Sequence, residues 1–183
     1  YPETLYVDNL GVQRSYGGRH YHCYNSPIFR DLTEKICLEM SRRFGRNPYV
    51  LGFQVDNEMG QEHSDRCQCP VCRRKFKEAM KEKFHGDIGA LNEAFGSLFW
   101  GQRFDGFEQV EPPAAGSRED AKSNLGWRGT NMPALRLEFE RFASDSLVDY
   151  FRLQRDALRR FSDKPVTHNT THLGTNAIDY FKL

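Results

Sequence analysis

The residues best suited to chemistry are Asp56, Asn57 and Glu58, which follow the apolar run 49–53 after two residues and lie shortly before Gly60. This pattern is typical of a buried parallel strand whose carboxyl end opens into a site. In a (β/α) barrel, polar residues at that end are typically catalytic. A glutamate there can act as general acid and then as general base in glycoside hydrolysis, while the asparagine amide binds a sugar hydroxyl. The alternative interpretation is an Asn-Glu turn with a solvated carboxylate.

Cysteines form the second chemical pattern, because three of the five lie in the run Cys67-Gln68-Cys69-Pro70-Val71-Cys72. Short loops with this spacing turn their sulfurs towards one point, and Zn²⁺ favours four nitrogen or sulfur ligands. Cys23 could supply the fourth ligand, and a site with four sulfurs would be structural because it has no open position. The alternatives are a Cys69/Cys72 redox pair, disulfides in a secreted protein, or a histidine ligand. The candidate histidines are His20, His22 and His63.

Length and composition narrow the class of protein. The 183 residues are ample for one domain but short of the ~250 of a complete eight-stranded barrel, so we interpret the chain as an internal piece of a larger protein. With 26 basic and 25 acidic residues, the net charge of +1 gives no electrostatic case for nucleic acid or an anionic membrane. No apolar run approaches the ~18 residues of a membrane span, and no signal peptide is visible. We expect the true N-terminus to lie outside these residues, so the missing signal peptide says little about secretion; the expected location is the cytoplasm.

The first predicted helix begins at Ser26-Pro27, an N-cap followed by proline at the first helical position. Gly45 is expected to end it. Apolar residues recur in between at spacings of three or four, which places Ile36 towards the core and makes Cys37 a small buried neighbour. The apolar positions are Phe29, Leu32, Ile36, Met40 and Phe44.

The remaining elements alternate between strands and helices. A strand at 49–55 is followed by the cysteine loop, by helices at about 70–84 and around 88–95, and by an irregular stretch at 101–132. A long helix at about 133–161 then precedes a short strand at 165–169, whose polar end resembles that of the first strand. This order predicts a parallel sheet wrapped by helices.

Several motifs along nearly the whole chain resemble the catalytic domain of glycoside hydrolase family 42 β-galactosidases. The resemblance implies an α/β fold, a partial (β/α)₈ TIM barrel that starts after strand three and ends past strand five. Residues 1–183 would then belong to a single catalytic domain with a zinc loop at 60–75. The motifs are Tyr-Pro-Glu-Thr-Leu-Tyr-Val-Asp at 1–8, the segment at 19–27, Gly-Phe-Gln-Val-Asp-Asn-Glu at 52–58, the cysteine run at 67–72, the segments at 91–96, 99–102 and 141–145, and Thr-His-Asn at 167–169.

The resemblance also implies roles for individual residues. Glu58 matches the acid/base glutamate at the end of the fourth barrel strand, and Asn57 matches the asparagine that bonds the galactose 2-hydroxyl. Arg19 matches an arginine of the galactose subsite, and Trp100 matches a tryptophan of the sugar pocket, supplied in some members by a neighbouring subunit of a homotrimer. The implied structural zinc has four ligands, Cys23, Cys67, Cys69 and Cys72.

The chain departs from the family pattern in a few places. The usual Arg-Arg-His-Tyr-Cys is Arg19-His20-Tyr21-His22-Cys23 here, the usual Trp-Gly is Phe95-Gly96, and the usual Trp-Ser-Gln is Trp100-Gly101-Gln102. A retaining glycosidase needs a second carboxylate about 5–5.5 Å from the first. The family takes it from the seventh strand, so we expect the nucleophile outside these residues and the isolated fragment to be inactive.

Two other functions fit parts of the sequence. Another retaining barrel glycosidase, such as a β-glucosidase or an arabinoside-cleaving enzyme, shares the Asn-Glu pair. A non-catalytic zinc-binding module would explain the cysteines, but their run is embedded in an α/β pattern, which disfavours that alternative.

Overall fold

The computed structural model describes residues 1–61, 64–113, 132–169 and 178–183. The helices are α1 (Pro27–Phe44), α2 (Pro70–Lys83), α3 (Ile88–Phe95) and α4 (Pro133–Arg159), and the strands are β1 (Phe53–Gln54) and β2 (Val166–Thr167). Short 3₁₀ turns lie at Pro2–Thr4, Phe99–Gly101 and Phe107–Gln109. Among these described helices, none combines the length and apolar character that crossing a membrane requires.

The two strands pair in parallel, with Phe53 opposite Val166 and Gln54 opposite Thr167. This confirms the predicted parallel order, although both strands are shorter than the predicted 49–55 and 165–169. The N–H of Val50 donates to the Asn47 carbonyl in a turn, so the apolar run joins the sheet only at Phe53, whose N–H donates to Pro165 at 2.9 Å. Parallel pairing brings the polar carboxyl ends of β1 and β2 to the same edge.

The predicted start and end of α1 are confirmed. Ser26 is the N-cap and Pro27 occupies the first turn, while Gly45 is the C-cap. A side chain at position 45 would have its Cβ 2.5 Å from the Phe161 carbonyl oxygen, so glycine is required for this close approach.

The prediction that Ile36 faces the core is wrong, because Ile36 is 59% exposed and the buried face of α1 is Thr33, Cys37 and Ser41. The two hydroxyls on that face are satisfied, so burying them carries little penalty. Thr33 Oγ1 donates to the Phe29 carbonyl at 2.8 Å and lies 2.9 Å from the hydroxyl of Tyr150. Cys37 is buried as predicted, and burial, reinforced by the negative charge of Asp56, raises the pKa of its thiol to about 11.

The chain divides into two compact units. The first comprises Tyr1–Tyr6, Arg14–Asp65 and Ala143–Leu183, and the second comprises Val7–Gln13 and Arg66–Phe142. The core of the first unit surrounds Met59, Leu147 and Leu158, all less than 3% exposed. The core of the second surrounds Phe76 and Phe139, whose rings meet edge to face with centroids 5.4 Å apart.

Candidate active site

The turn that follows β1 has an unusual backbone. Asp56 and Glu58 have φ angles of +55° and +48°, and Gly60 has +82°. Residues other than glycine rarely adopt this left-handed region, and they remain there only where several contacts hold them. One contact is local, since Asp56 Oδ1 accepts the Asn57 N–H at 2.7 Å. This backbone leaves Asn57 exposed and the side chain of Glu58 27% exposed, so both can meet a ligand.

His168, just beyond β2, contacts both ends of this turn. Its Nε2 accepts the N–H of Met59 at 3.2 Å, and its Nδ1 lies 2.9 Å from the carbonyl oxygen of Val55. A backbone N–H can only donate and a carbonyl oxygen can only accept, so Nε2 is unprotonated and Nδ1 carries the proton. The neutral imidazole therefore joins the start of the turn to its end.

Asn169 contacts the same turn through its amide. Its Oδ1 accepts the side-chain N–H of Gln54 at 3.0 Å and the backbone N–H of Glu58 at 3.4 Å. Its Nδ2 donates to Asn57 Oδ1 at 3.0 Å. The ends of the two parallel strands are thus joined through side chains as well as through the ladder.

The loop before α1 supplies the other neighbours of the turn. The guanidinium of Arg19, 48% exposed, forms an ion pair with Glu58. His20 is buried, and its Nε2 donates to the Asn57 carbonyl at 2.8 Å. Arg19, Asn57 and Glu58 therefore lie together in the first compact unit, and their roles in catalysis and sugar binding stay predictions.

Tyr24 supports the far end of the turn. Its hydroxyl oxygen accepts the N–H of Gly60 at 3.4 Å. Burial, followed by the nearby charge of Asp56, raises the pKa of Tyr24, so the phenol stays protonated.

Trp100 belongs to the second compact unit. It is 71% exposed, has a φ of +56° and stacks on Phe99 with ring centroids 4.5 Å apart. Its role in a sugar pocket stays a prediction.

The cysteines Cys23, Cys67, Cys69 and Cys72 are all buried, and their sulfur atoms lie within 4.8 Å of one another. Four sulfurs placed about 2.3 Å from one Zn²⁺ are about 3.8 Å apart, so this set fits a tetrahedral thiolate site after a small contraction. Cys67 Sγ accepts backbone N–H groups from Val7 at 3.4 Å and from Cys69 at 3.5 Å. None of the five cysteines forms a disulfide.

The alternative histidine ligands have other places. The Nε2 of His20 is bonded to the Asn57 carbonyl, and the ring of His22 packs on Phe29 with ring centroids 4.0 Å apart. Burial is the largest influence on the pKa of His22, and it lowers that pKa. His63 lies outside the described residues.

Sequence reasoning gave no role to Gln54, His168 or Asn169, and it considered His20 only as a possible zinc ligand. The sequence did hold a signal for His168 and Asn169, because both lie in the polar end predicted for the second strand. In a parallel sheet that end lies beside the polar end of the first strand. For Gln54 and His20 no pattern in the sequence indicates the contact.

Similarity to known proteins shows the family of this chain. The sequence model of the glycoside hydrolase family 42 family, described as β-galactosidase, matches residues 1–183. The chain is 39% identical over its full length to a β-galactosidase of Thermus thermophilus and 33% identical to BgaH of Haloferax lucentense, and it covers 26% of each of those proteins. The chain therefore spans about a quarter of the length of these relatives.

Solved structures give the same result. The chain is similar to a β-galactosidase from Bacillus circulans, with a TM-score of 0.85 and 35% identity over 100% of this chain and 26% of that one. It is also similar to one from Halorubrum lacusprofundi, with a TM-score of 0.86 and 32% identity over 99% of this chain and 25% of that one. These neighbours are TIM-barrel enzymes, which confirms the predicted fold class, part of a (β/α)₈ barrel. The chain belongs to the glycoside hydrolase family 42 β-galactosidases.

Proposed function

We propose that the protein containing this chain is a β-galactosidase that hydrolyses terminal, non-reducing β-D-galactosyl residues with retention. The observation that carries the proposal is the Asn57-Glu58 pair at the carboxyl end of a parallel strand, beside Arg19. The relatives named above are β-galactosidases, and their names supply the substrate class.

Glu58 acts twice in this mechanism. It first protonates the glycosidic oxygen as the leaving group departs, and it then takes a proton from the water that attacks the glycosyl-enzyme. Retention requires a carboxylate nucleophile about 5–5.5 Å away. β2 is followed by His168 and Asn169 rather than by a carboxylate, so we assign the nucleophile to a part of the protein beyond these 183 residues.

The neighbours of Glu58 bind and orient the sugar. Arg19 offers several N–H donors on a planar group, which suits the hydroxyls of galactose. Asn57 bonds the 2-hydroxyl. Trp100 provides an exposed aromatic face for a sugar pocket. In a homotrimer it would contribute to the pocket of a neighbouring subunit.

Replacing Glu58 tests this function. In the protein containing this chain, Glu58→Ala should lower kcat/KM by at least 10²-fold for β-galactosides with poor leaving groups, because only these require protonation. Aryl β-galactosides with activated leaving groups should retain a far larger share of their glycosylation rate. Azide should accelerate the variant on the activated substrates by replacing water at the glycosyl-enzyme.

Glu34→Ala is the matched control, since it removes another glutamate of the same compact unit, on α1. It should leave the rates on both kinds of substrate unchanged. Equal losses for both leaving groups in Glu58→Ala, with no effect of azide, would show that Glu58 is not the acid/base. A panel of aryl glycosides that differ only at C4 and C6 separates a β-galactosidase from a β-glucosidase or an arabinoside-cleaving enzyme.

The four buried cysteines support a structural zinc site. Cys23, Cys67, Cys69 and Cys72 would hold the ion as thiolates, and four such ligands leave no position for substrate or water. The ion would fix the loop before α2, whose N-cap is Cys69. The expected location of the whole protein is the cytoplasm, where thiolates remain reduced, and cell fractionation tests it.

A further inference from the structure

Three amide side chains at the ends of β1 and β2 are bonded head to tail. Gln54 Nε2 donates to Asn169 Oδ1 at 3.0 Å, and Asn169 Nδ2 donates to Asn57 Oδ1 at 3.0 Å. The series runs from the second residue of β1, across the residue that follows β2, and back to the turn that carries Glu58. The amides of Gln54 and Asn169 each donate an N–H to the oxygen of the next amide, and Asn57 is the last acceptor.

The backbone N–H of Glu58 fixes the donor-to-acceptor direction of this series, because an N–H can only donate. The backbone N–H of Glu58 points at one terminal atom of the Asn169 side chain, 3.4 Å away. An N–H can only donate, so that atom must be the amide oxygen, and the other terminal atom of Asn169 must be its nitrogen. The atom of Asn57 that meets this nitrogen must in turn be Oδ1.

One consequence concerns the side of Asn57 that faces a ligand. Its Oδ1 lies against Asn169, so the Nδ2 of the exposed amide is turned away from Asn169 and offers its N–H donors to a sugar hydroxyl. A hydroxyl that accepts from Asn57 keeps its own hydrogen free to bond a carboxylate, such as the nucleophile of a retaining site. With the amide reversed, the hydroxyl would have to donate that hydrogen to Asn57.

We propose that Asn169 is a positioning residue, which fixes the Asn57 amide with its N–H₂ group towards the sugar and thereby sets the sense of the hydrogen bond to the 2-hydroxyl. The proposal rests on the proposed glycosidase function for the identity of the ligand. Asn169 itself need not touch the substrate, because its effect passes through Asn57.

The test compares two substrates and three variants in the protein that contains this chain. The substrates are an activated aryl β-galactoside and its 2-deoxy analogue, and the variants are Asn169→Ala, Asn57→Ala and the double variant. Asn169→Ala should lower kcat/KM for the galactoside by about 2- to 12-fold, the effect of one hydrogen bond. On the 2-deoxy analogue the loss should be under about twofold, and the double variant should match Asn57→Ala.

Asn47→Ala is the matched control, since Asn47 also uses its amide oxygen to accept a backbone N–H, at 2.9 Å from Tyr49, in the turn before β1. It should leave kcat/KM unchanged on both substrates. Equal losses by Asn169→Ala on both substrates, or losses that multiply in the double variant, would reduce Asn169 to a structural role and overturn the proposal.

The outcome also separates this proposal from the function on which it rests. If the wild-type protein cleaves a different glycoside, the galactoside assignment fails, and the same comparison with that glycoside and its 2-deoxy analogue decides the role of Asn169. If the wild-type protein cleaves no glycoside, both are overturned.

Discussion

At the scale of single residues, the conformation of the turn around Glu58 depends on side chains that come from other parts of the chain. Asp56 and Glu58 occupy left-handed backbone positions, which cost of order 1 kcal/mol or more each. The contacts of His20, His168 and Asn169 offset that cost. Of these contacts, the two from His168 are bonds to backbone groups at both ends of the turn.

We predict that His168→Ala lowers the free energy of unfolding by about 1–3 kcal/mol, because Met59 lies at 0% exposure and its N–H loses this acceptor. The shift in the midpoint of urea unfolding, followed by circular dichroism, measures the effect. His168→Asn retains one donor and one acceptor at shorter reach and should fall between the wild type and His168→Ala. An alanine variant with wild-type stability would mean that the ring does not hold the turn.

The chemistry of this site could be predicted from the sequence only in part. Asn57 and Glu58 can be identified because they follow an apolar run. Arg19 can be identified because it matches a residue of the family. The contact of His20 could not be predicted, since it depends on which loop lies beside the turn. For His168 the polar end of the second predicted strand indicated the neighbourhood, but a residue pattern along one strand does not show which atoms meet.

At the scale of elements, the bounds of the helices agree closely with those predicted from the sequence, whereas both strands are shorter than predicted. Caps and apolar periods place the ends of α1, α2 and α3 within a residue or two. The error in α1 has a physical cause: spacing of three or four identifies a helix but not which of its faces meets the core. The small residues Thr33, Cys37 and Ser41 allow the closer approach, and their hydroxyls find internal acceptors.

The cysteine cluster permits a test by metal analysis. We predict one Zn²⁺ per chain in protein purified without chelator, and we predict that Cys69→Ser lowers this content and the thermal midpoint together, because metal binding is coupled to folding of the loop. Cys37→Ser replaces an equally buried cysteine outside the cluster and should leave the zinc content unchanged. Zinc retained in full by Cys69→Ser, or lost equally in both variants, would contradict the assignment.

At the scale of the whole molecule, the described sheet is small and its surroundings are apolar. Two parallel strands form it, and Tyr49 and Leu51, which precede β1, are 92% and 87% exposed. Parallel sheets are normally covered on both faces, so Tyr49 and Leu51 are expected to be buried in a complete barrel.

We predict that residues 1–183 alone are marginally folded and inactive on an activated aryl β-galactoside. The strands lack barrel neighbours within the described residues, and the proposed nucleophile lies elsewhere. The measurement compares turnover by this chain with turnover by a version extended through the seventh barrel strand. Comparable rates would place the second carboxylate within these residues and refute our assignment of the nucleophile.

The distance along the chain between the Glu58 turn and its supports affects how this site can be recombined. Met59 and His168 are separated by 109 positions, and Asn57 and Asn169 by 112. A crossover between two genes of the family that falls in this interval joins the acid/base turn of one parent to the supporting strand of the other. Chimeras of this kind should remain active mainly when the two parents carry matching residues at both places, so the two segments are expected to be inherited as a unit.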